Sequence, residues 1–252
     1  MAKPYLSVII PAYNEEPNFK KGTIDQVPKF LEGQKYAYEI LIVDDGSSDQ
    51  TANLAEKFSK DNKNVRVIKN PHQGKAETVK KGVEEAEGEI IVFTDFDQAT
   101  PIEEVDRLLP HFPQYDIVIG SRQLPGAKRE KEPLHRHIMG IVFNIIVQII
   151  AVRGIWDTQA GFKGFKSTVA KELFKQLRVY GKGGKVEGAL VTAFDVELLF
   201  IAKKRGYKIK EVPIIWHHVA TDRVSPLKDS LRMFRDVLKI RMNDLKGVYK
   251  NI

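Results

Sequence analysis

The stretch EIIVFTDFDQATP, Glu89 to Pro101, decides the fold. Ile90, Ile91, Val92 and Phe93 run without a polar interruption, and the chain then meets Asp95 and Asp97 on either side of Phe96. A short continuous apolar run bounded by polar residues is the pattern of a strand buried on both faces, as in a parallel sheet covered by helices. Two carboxylates this close repel unless a positive charge stands between them. Paired hard oxygen ligands at a strand end suit Mg²⁺ or Mn²⁺, which complete their shells with phosphate oxygens and water.

The same alternation extends outward from this stretch. Residues 6–12, 38–45, 64–69 and 115–121 read as strands, and 23–32, 50–60, 75–87 and 102–111 as helices. The expected fold is α/β, a mostly parallel central sheet flanked by helices, with ligands beyond the carboxyl ends of the strands. Three strand ends carry polar clusters: PAYNEE (11–16), VDDGSSDQT (43–51) and TDFDQATP (94–101). They are expected to converge on one crevice, although Asp and Ser also serve as helix caps there. Farther on, 161–166 and 207–218 read as strands. Residues 193–206 read as a helix ending at Gly206, with Lys203, Lys204 and Arg205 in its last turn. Residues 126–133 and 181–185 read as loops.

With 252 residues the chain can form one large domain or two small ones. It has no cysteine, which excludes disulfides, thiolate metal sites and a thiol nucleophile. The net charge of +7 suits an anionic partner. The start MAKPYLSVII runs directly into a strand pattern, so no signal peptide is expected.

The basic side of the molecule begins at Arg122. Lys128, Arg129, Lys131, Arg136 and Arg153 follow, against Glu130 and Glu132 alone. Arginine forks bind phosphate bidentately, whereas runs of mixed charge are also ordinary solvated loops. Residues 137–152 carry no Lys, Arg, Asp or Glu. As a helix this segment spans about 24 Å, short of the roughly 30 Å hydrocarbon core of a bilayer. Gly140, Asn144 and Gln148 form one narrow stripe on it, so it is either core or membrane-surface. In 227–246, Leu227, Leu231, Phe234, Leu238 and Leu245 share a helical face, and Lys228, Arg232, Arg235, Lys239, Arg241 and Lys246 supply basic charge. That pattern suits a membrane surface, a partner helix or a helix packed on its own domain.

The stretches VIIPAYNEE, ILIVDDGSSDQT, NPHQGKAETVKKG, TDFDQATP, GSR, DTQAGFKGF, FDVELLFIAKKRGYKIKEVPIIW and DSLRMFRDVLKIR run in order from residue 8 to 241. On them the chain resembles the family-2 nucleotide-diphospho-sugar glycosyltransferases, and within these the dolichyl- or polyprenyl-phosphate sugar synthases, most of all the glucosyl branch. The resemblance implies a GT-A fold in a catalytic domain over 1–222. Residues 1–121 would bind the nucleotide sugar and 122–222 the acceptor, with an amphipathic membrane-surface helix over 223–252. Pro11, Tyr13, Glu15, Asp44, Asp45 and Lys75 would line the nucleotide site, and Asp95, Phe96 and Asp97 the diphosphate, with Asp95 and Asp97 on the metal. Glu77 departs from the small residue usual near Lys75. Ala99, where some mannose-transferring relatives have Gln, tilts the expected donor toward UDP-glucose.

The acceptor implied is a polyprenyl phosphate, with Arg122, Arg136, Gln159 and Arg223 as candidate ligands of its phosphate. A phosphate monoester is largely dianionic at pH 7 and needs little general-base help. Asp157 and then Asp195 are the candidates if a base exists; equally, Asp157 can fix its loop and Asp195 can cap the following helix. The resemblance further implies inversion at the anomeric carbon and peripheral attachment at the cytoplasmic face of a membrane. GDP-mannose as donor, a soluble or cell-wall acceptor, nucleotidyl transfer and nucleic-acid binding are the competing readings. No nucleic-acid partner is expected, because the basic residues lack interleaved stacking aromatics.

Overall fold

The computed structural model describes residues 3–130, 134–180, 193–219 and 226–250, without the side chains of 134–137 and 226–228. Its seven-stranded sheet has the order β3-β2-β1-β4-β7-β5-β8. The strands are β1 (Leu6–Ala12), β2 (Tyr38–Asp44), β3 (Val65–Lys69), β4 (Ile90–Phe93), β5 (Ile117–Ser121), β7 (Lys163–Lys166) and β8 (Ile209–Pro213). All neighbours pair in parallel except β7, which runs antiparallel to both β4 and β5. The mostly parallel α/β sheet expected from the sequence is therefore present, with one reversed strand inside it.

The strands alternate between two cores. Ile9, Leu41, Ile91 and Phe165 face one layer, which holds α4 (Lys75–Glu85), α7 (Ser167–Lys175) and α8 (Phe194–Lys204). Val8, Ile10, Ile40, Ile42 and Val92 face the other, against α2 (Gln26–Glu32), α3 (Thr51–Asp61) and α5 (Val105–Leu108). Burial of each such side chain contributes about 1.5–3 kcal/mol. Helix α4 lies close against the sheet because residue 82 is glycine: a Cβ there would stand 2.6 Å from Ile9 Cγ2.

Several boundaries differ from the sequence reading. The helix expected over 23–32 starts later, as α2, and is preceded by α1 (Glu16–Lys20). The expected 102–111 helix is one α-helical turn, α5, between two 3₁₀ turns, and Pro110 lies in the second of them. The stretch 126–133, expected as a loop, contains β6 (Lys128–Glu130). The strand expected over 207–218 breaks at the buried Ile214. Before it β8 joins the main sheet, and after it β9 (Ile215–His217) turns away to pair with β6. The pairing of β6 and β9 was not legible because β6 is short and charged.

Helix α6 (Leu134–Ile150) buries Asn144 and Val147 and turns Ile138, Ile141, Val142, Ile145 and Ile149 outward. Asn144 thus faces the protein while much of the apolar surface does not, unlike an ordinary surface helix. Helix α9 (Pro226–Leu245) packs Met233, Val237 and Ile240 into the core and leaves Leu231, Leu238 and Leu245 outside. No described helix is long and apolar enough to cross a membrane. The 181–185 stretch lies outside the described residues.

Candidate active site

The carboxyl ends of β1, β2, β4 and β5 lie along one edge of the sheet. Side chains tie the turns that follow β1 and β2 to one another. Asn14, at φ +53°, donates its N–H to Ser47 Oγ (2.9 Å) and accepts from Ser48 N (2.9 Å). The Glu15 N–H donates to Thr51 Oγ1 at 2.6 Å, and the Glu15 carboxylate accepts from Asn18 Nδ2. Pro11 sits within β1 and is half-buried. Asp44 ends β2 and Asp45 follows it, both buried. Asp44 Oδ1 has no hydrogen-bond partner among the described residues.

Asp45 accepts from Asn70 Nδ2 (3.0 Å), Gln73 N (3.0 Å), Gly74 N (2.8 Å) and His72 Nδ1 (2.8 Å), closing the 70–74 loop onto the strand end. With Nδ1 facing only acceptors, that ring nitrogen is the donor. The His72 ring stacks on Tyr13, centroids 4.1 Å apart and 8° from parallel.

In the turn after β4, Phe96 is buried against Phe19, between Asp95 and Asp97 in the chain. Gln98 takes φ +48° and its side chain donates to the Asp95 carbonyl at 2.8 Å, tightening the turn. Asp97 accepts from Ala99 N at 3.0 Å. Burial first, and the neighbouring Asp95 charge second, push the Asp97 carboxyl up to about 6. Asp95 is paired with Lys75, the first residue of α4. Burial alone would lower the Lys75 ammonium, but Asp95, Asp195 and Asp97 together raise it.

These are the residues available to a divalent cation, and they fit one. The Asp95 charge acts on the neighbouring Asp97 carboxylate, and the backbone opposite is bare: a Cβ on Gly161 would stand 2.0 Å from Asp95 Oδ2. No group of three or more acidic, His or Cys side chains that could hold a metal occurs among the described residues. A cation here would complete its shell with ligand oxygens and water, as Mg²⁺ and Mn²⁺ do.

Arg122 follows β5, with only β7 between it and β4, so it lies roughly 10 Å along the sheet from the carboxylate pair. Its Nε and backbone N each donate to Asp157 Oδ2 at 2.8 Å and its Nη2 to Asp157 Oδ1 at 2.9 Å. Asp157 is fully buried. Burial works to raise its carboxyl, and the Arg122 charge and hydrogen bonds more than offset this, holding it below the usual carboxylate range. Glu211 on β8 accepts from Trp156 N (2.8 Å) and Asp157 N (2.9 Å), fixing that loop. Arg122 also lies over the Trp216 ring, 5.3 Å from its centroid, and its carbonyl accepts from Arg129 Nε at 2.9 Å. Gln159 donates its N–H to Asp157 at 3.3 Å, and its side-chain Nε2 is buried without a partner among the described residues. The Arg136 side chain and all of Arg223 lie outside the described residues.

Asp195 is not a helix cap. Ala193 holds that position in α8, and Asp195 points its carboxylate at Lys163 Nζ, 3.1 Å away. Burial raises Asp195 against the pull of Lys163 and Lys75, and burial lowers Lys163 against the pull of Asp195. His217, in β9, meets Glu130 at 3.0 Å, and its N–H donates to the Ala99 carbonyl at 2.7 Å, pinning this strand to the Asp95–Ala99 turn.

Sequence reasoning missed His72, Lys163, Glu211 and Gly161. Only Lys163 left a signal: a lysine between Phe162 and Gly164 in an apolar strand must be buried, and a buried ammonium needs a partner.

The family model for glycosyl transferase family 2 matches residues 7–174. A dolichyl-phosphate beta-glucosyltransferase of Dictyostelium discoideum is 34% identical, covering 98% of this chain and 76% of the relative. The Homo sapiens protein of the same description is also 34% identical, over 97% of this chain and 77% of its own length. Mannosyl-3-phosphoglycerate synthase from Rubrobacter xylanophilus superposes with a TM-score of 0.67 at 16% identity, covering 97% of this chain and 76% of that one. Glucosyl-3-phosphoglycerate synthase from Mycobacterium tuberculosis, solved with Mn²⁺, uridine diphosphate and glucosyl-3-phosphoglycerate, gives 0.62 at 19% identity, covering 95% and 79%.

Proposed function

The chain belongs to glycosyl transferase family 2, and on that premise we propose that it transfers glucose from UDP-glucose to a polyprenyl (dolichyl) phosphate at a membrane surface. The observation that carries this reading is the pairing, on one sheet edge, of the Asp95–Asp97 carboxylates with the braced Arg122. One side suits a cation-bound diphosphate and the other an anionic acceptor. Relatives described as dolichyl-phosphate beta-glucosyltransferases match over nearly the whole chain and favour lipid phosphate and glucose.

Asp95 and Asp97 would hold Mg²⁺ or Mn²⁺, whose charge, when bound, offsets that of the departing diphosphate. Tyr13, His72, Asp44 and Asp45 would receive the nucleoside, and Lys75 the diphosphate. An acceptor phosphate oxygen would form the new bond to the anomeric carbon as the bond to the nucleoside diphosphate breaks, with inversion. A phosphate dianion needs no deprotonation, so Asp157 serves to aim Arg122 rather than to take a proton. Asp195, held by Lys163, is likewise not required as a base.

The outward apolar faces of α6 and α9 favour peripheral attachment at a membrane surface, and the proposal assigns that attachment to the cytoplasmic side. The division into a donor half (1–121), an acceptor half (122–222) and a surface helix (223–252) is the domain reading that accompanies this function.

The test is transfer by purified protein with Mg²⁺ or Mn²⁺ and a short polyprenyl phosphate, across UDP-glucose, GDP-mannose and other nucleotide sugars. A glucosylated lipid product that disappears with EDTA is expected. Preference for GDP-mannose overturns the sugar, and transfer only to a soluble acceptor overturns the lipid.

A further inference from the structure

Six charges of alternating sign run beneath the crevice: Arg122, Asp157, Lys163, Asp195, Lys75 and Asp95. Arg122 and Asp157 touch at 2.8 Å, Lys163 and Asp195 at 3.1 Å, and Lys75 is paired with Asp95. The intervening steps, Asp157 to Lys163 and Asp195 to Lys75, act through charge. Lys163 is the centre of this row and has no exposed surface. Its ammonium donates to the Ala160 carbonyl and lies 5.6 Å from the Phe93 ring centroid. A lysine so deeply placed is costly unless its charge is used.

We propose that Lys163 is a positioning residue of the donor site: by holding Asp195, it leaves Lys75 on Asp95 until a divalent cation arrives, and so sets how readily the carboxylate pair accepts that cation. The inference rests on the reading of Asp95 and Asp97 as metal ligands. Its logic is a competition. Asp195 has two cationic neighbours, Lys163 in contact and Lys75 within reach of its charge. With Lys163 present, Asp195 has a cation in contact and Lys75 stays with Asp95. Without Lys163, Asp195 draws Lys75 across, and Asp95 is left open to a cation. Lys75 is then also drawn away from the departing diphosphate.

The competition predicts opposite signs for two substitutions in one ion pair. Lys163→Met should bind Mn²⁺ several-fold more tightly than the wild-type chain while its kcat for transfer falls tenfold or more with little change in KM for the lipid. Asp195→Asn removes the rival for Lys75, and Mn²⁺ binding should weaken several-fold. The double variant Lys163→Met, Asp195→Asn should return near the wild-type affinity. Free Mn²⁺, measured by electron paramagnetic resonance during titration of the full chain without nucleotide, reads these affinities independently of turnover. A merely structural Lys163 would loosen the site, so that both single variants weaken Mn²⁺ binding.

Equal or weaker binding by Lys163→Met overturns the inference. If that variant does not fold, an Asp195→Asn affinity equal to or tighter than wild type overturns it instead. Wild-type protein that binds no Mn²⁺ overturns the metal reading along with the inference, whereas normal wild-type binding with unchanged variants overturns the inference alone.

Discussion

The donor side and the acceptor side of the crevice hold their charges differently. On the donor side carboxylates are in excess: Asp97 crowds Asp95, Asp44 keeps an oxygen without a partner among the described residues, and Lys75 is the cation in contact with Asp95. On the acceptor side the central charge is matched, with Arg122 gripped through three hydrogen bonds by a fully buried Asp157. A region built to receive a cation must tolerate negative charge before the cation comes. A region built to aim an arginine must spend a carboxylate on holding it. The difference teaches that the two sides should fail differently when mutated, one through lost ligand charge and the other through lost framework.

The sharpest break of the comparison is the double substitution Asp95→Asn, Asp97→Asn. It removes the excess charge without changing shape, and Lys75 remains to occupy the space. Transfer should fall by at least about 10³-fold, the scale of losing a principal electrostatic group, with Mn²⁺ binding abolished. The melting temperature should hold or rise, since two crowded carboxylates disappear. A melting temperature that falls steeply would show the pair to be framework instead.

Arg122→Ala should behave in the opposite way. It strands Asp157 without its counter-charge in a fully buried place, a loss of about 3–5 kcal/mol for breaking a buried pair. Transfer should fall roughly 10²-fold or more alongside stability. Arg122→Lys, which keeps the charge but loses the fork, separates the two effects: stability recovers in part, whereas KM for the lipid phosphate stays high. Chemical denaturation and steady-state kinetics on the same preparations decide.

The donor side was far more legible in the sequence than the acceptor side, for a physical reason. Its residues stand in short consecutive runs at strand ends, so PAYNEE, VDDGSS and TDFDQ each announce a turn and its chemistry together. Arg122 and Asp157, by contrast, are 35 residues apart, and Asp157 and Glu211 are 54 apart. Nothing local in the chain says that Glu211 will hold the loop that holds Asp157. The parallel sheet was readable from continuous apolar strands. The reversed β7 was not, since a short strand buried inside the sheet carries the same pattern whichever way it runs. The uncharged run 137–152, most of which lies in α6, was readable, and its orientation was not, because which side of a nearly all-apolar cylinder faces inward is decided by what packs on it.

A smaller effect on the donor side comes from Gly161→Ala. The added methyl would overlap Asp95 Oδ2, so the carboxylate must turn. Mn²⁺ affinity and transfer should each fall about tenfold, the cost of roughly 1.4 kcal/mol, while the nucleotide alone still binds. Unchanged Mn²⁺ affinity would move the cation away from this face of Asp95.

The crowding itself sets a pH dependence. The Asp97 carboxyl, about 3.8 when unfolded, is pushed up to about 6 in the folded chain. Below pH 4 it is protonated in both states and costs nothing. Between pH 4 and 6 the unfolded chain releases the proton while the folded chain keeps it, so metal-free stability falls as pH rises, by on the order of 2–3 kcal/mol in all. Above pH 6 the cost is constant. A bound cation offsets it, so the rise in melting temperature produced by Mn²⁺ should be small at pH 4.5 and level off above pH 6. A rise that is the same throughout would mean that Asp97 does not meet the cation.

The least effect on chemistry is expected where the acceptor side meets its surroundings. Ile145 and Ile149 point outward from α6, and Ile149 is 78% exposed. Replacing both by Ser leaves the core untouched, so stability should change by no more than about 0.5 kcal/mol. Turnover on a short, water-soluble polyprenyl phosphate should likewise hold. Partition onto anionic vesicles should drop, because each isoleucine that enters the interface contributes apolar area that Ser does not. Turnover on a long-chain acceptor embedded in those vesicles should drop in proportion. Donor-side variants should leave vesicle partition unchanged, because their side chains lie inside the crevice. If the Ser pair instead slows turnover equally on the soluble acceptor, α6 belongs to the arginine framework rather than to the surface, and the acceptor side then extends one layer deeper than Arg122, Asp157 and Glu211.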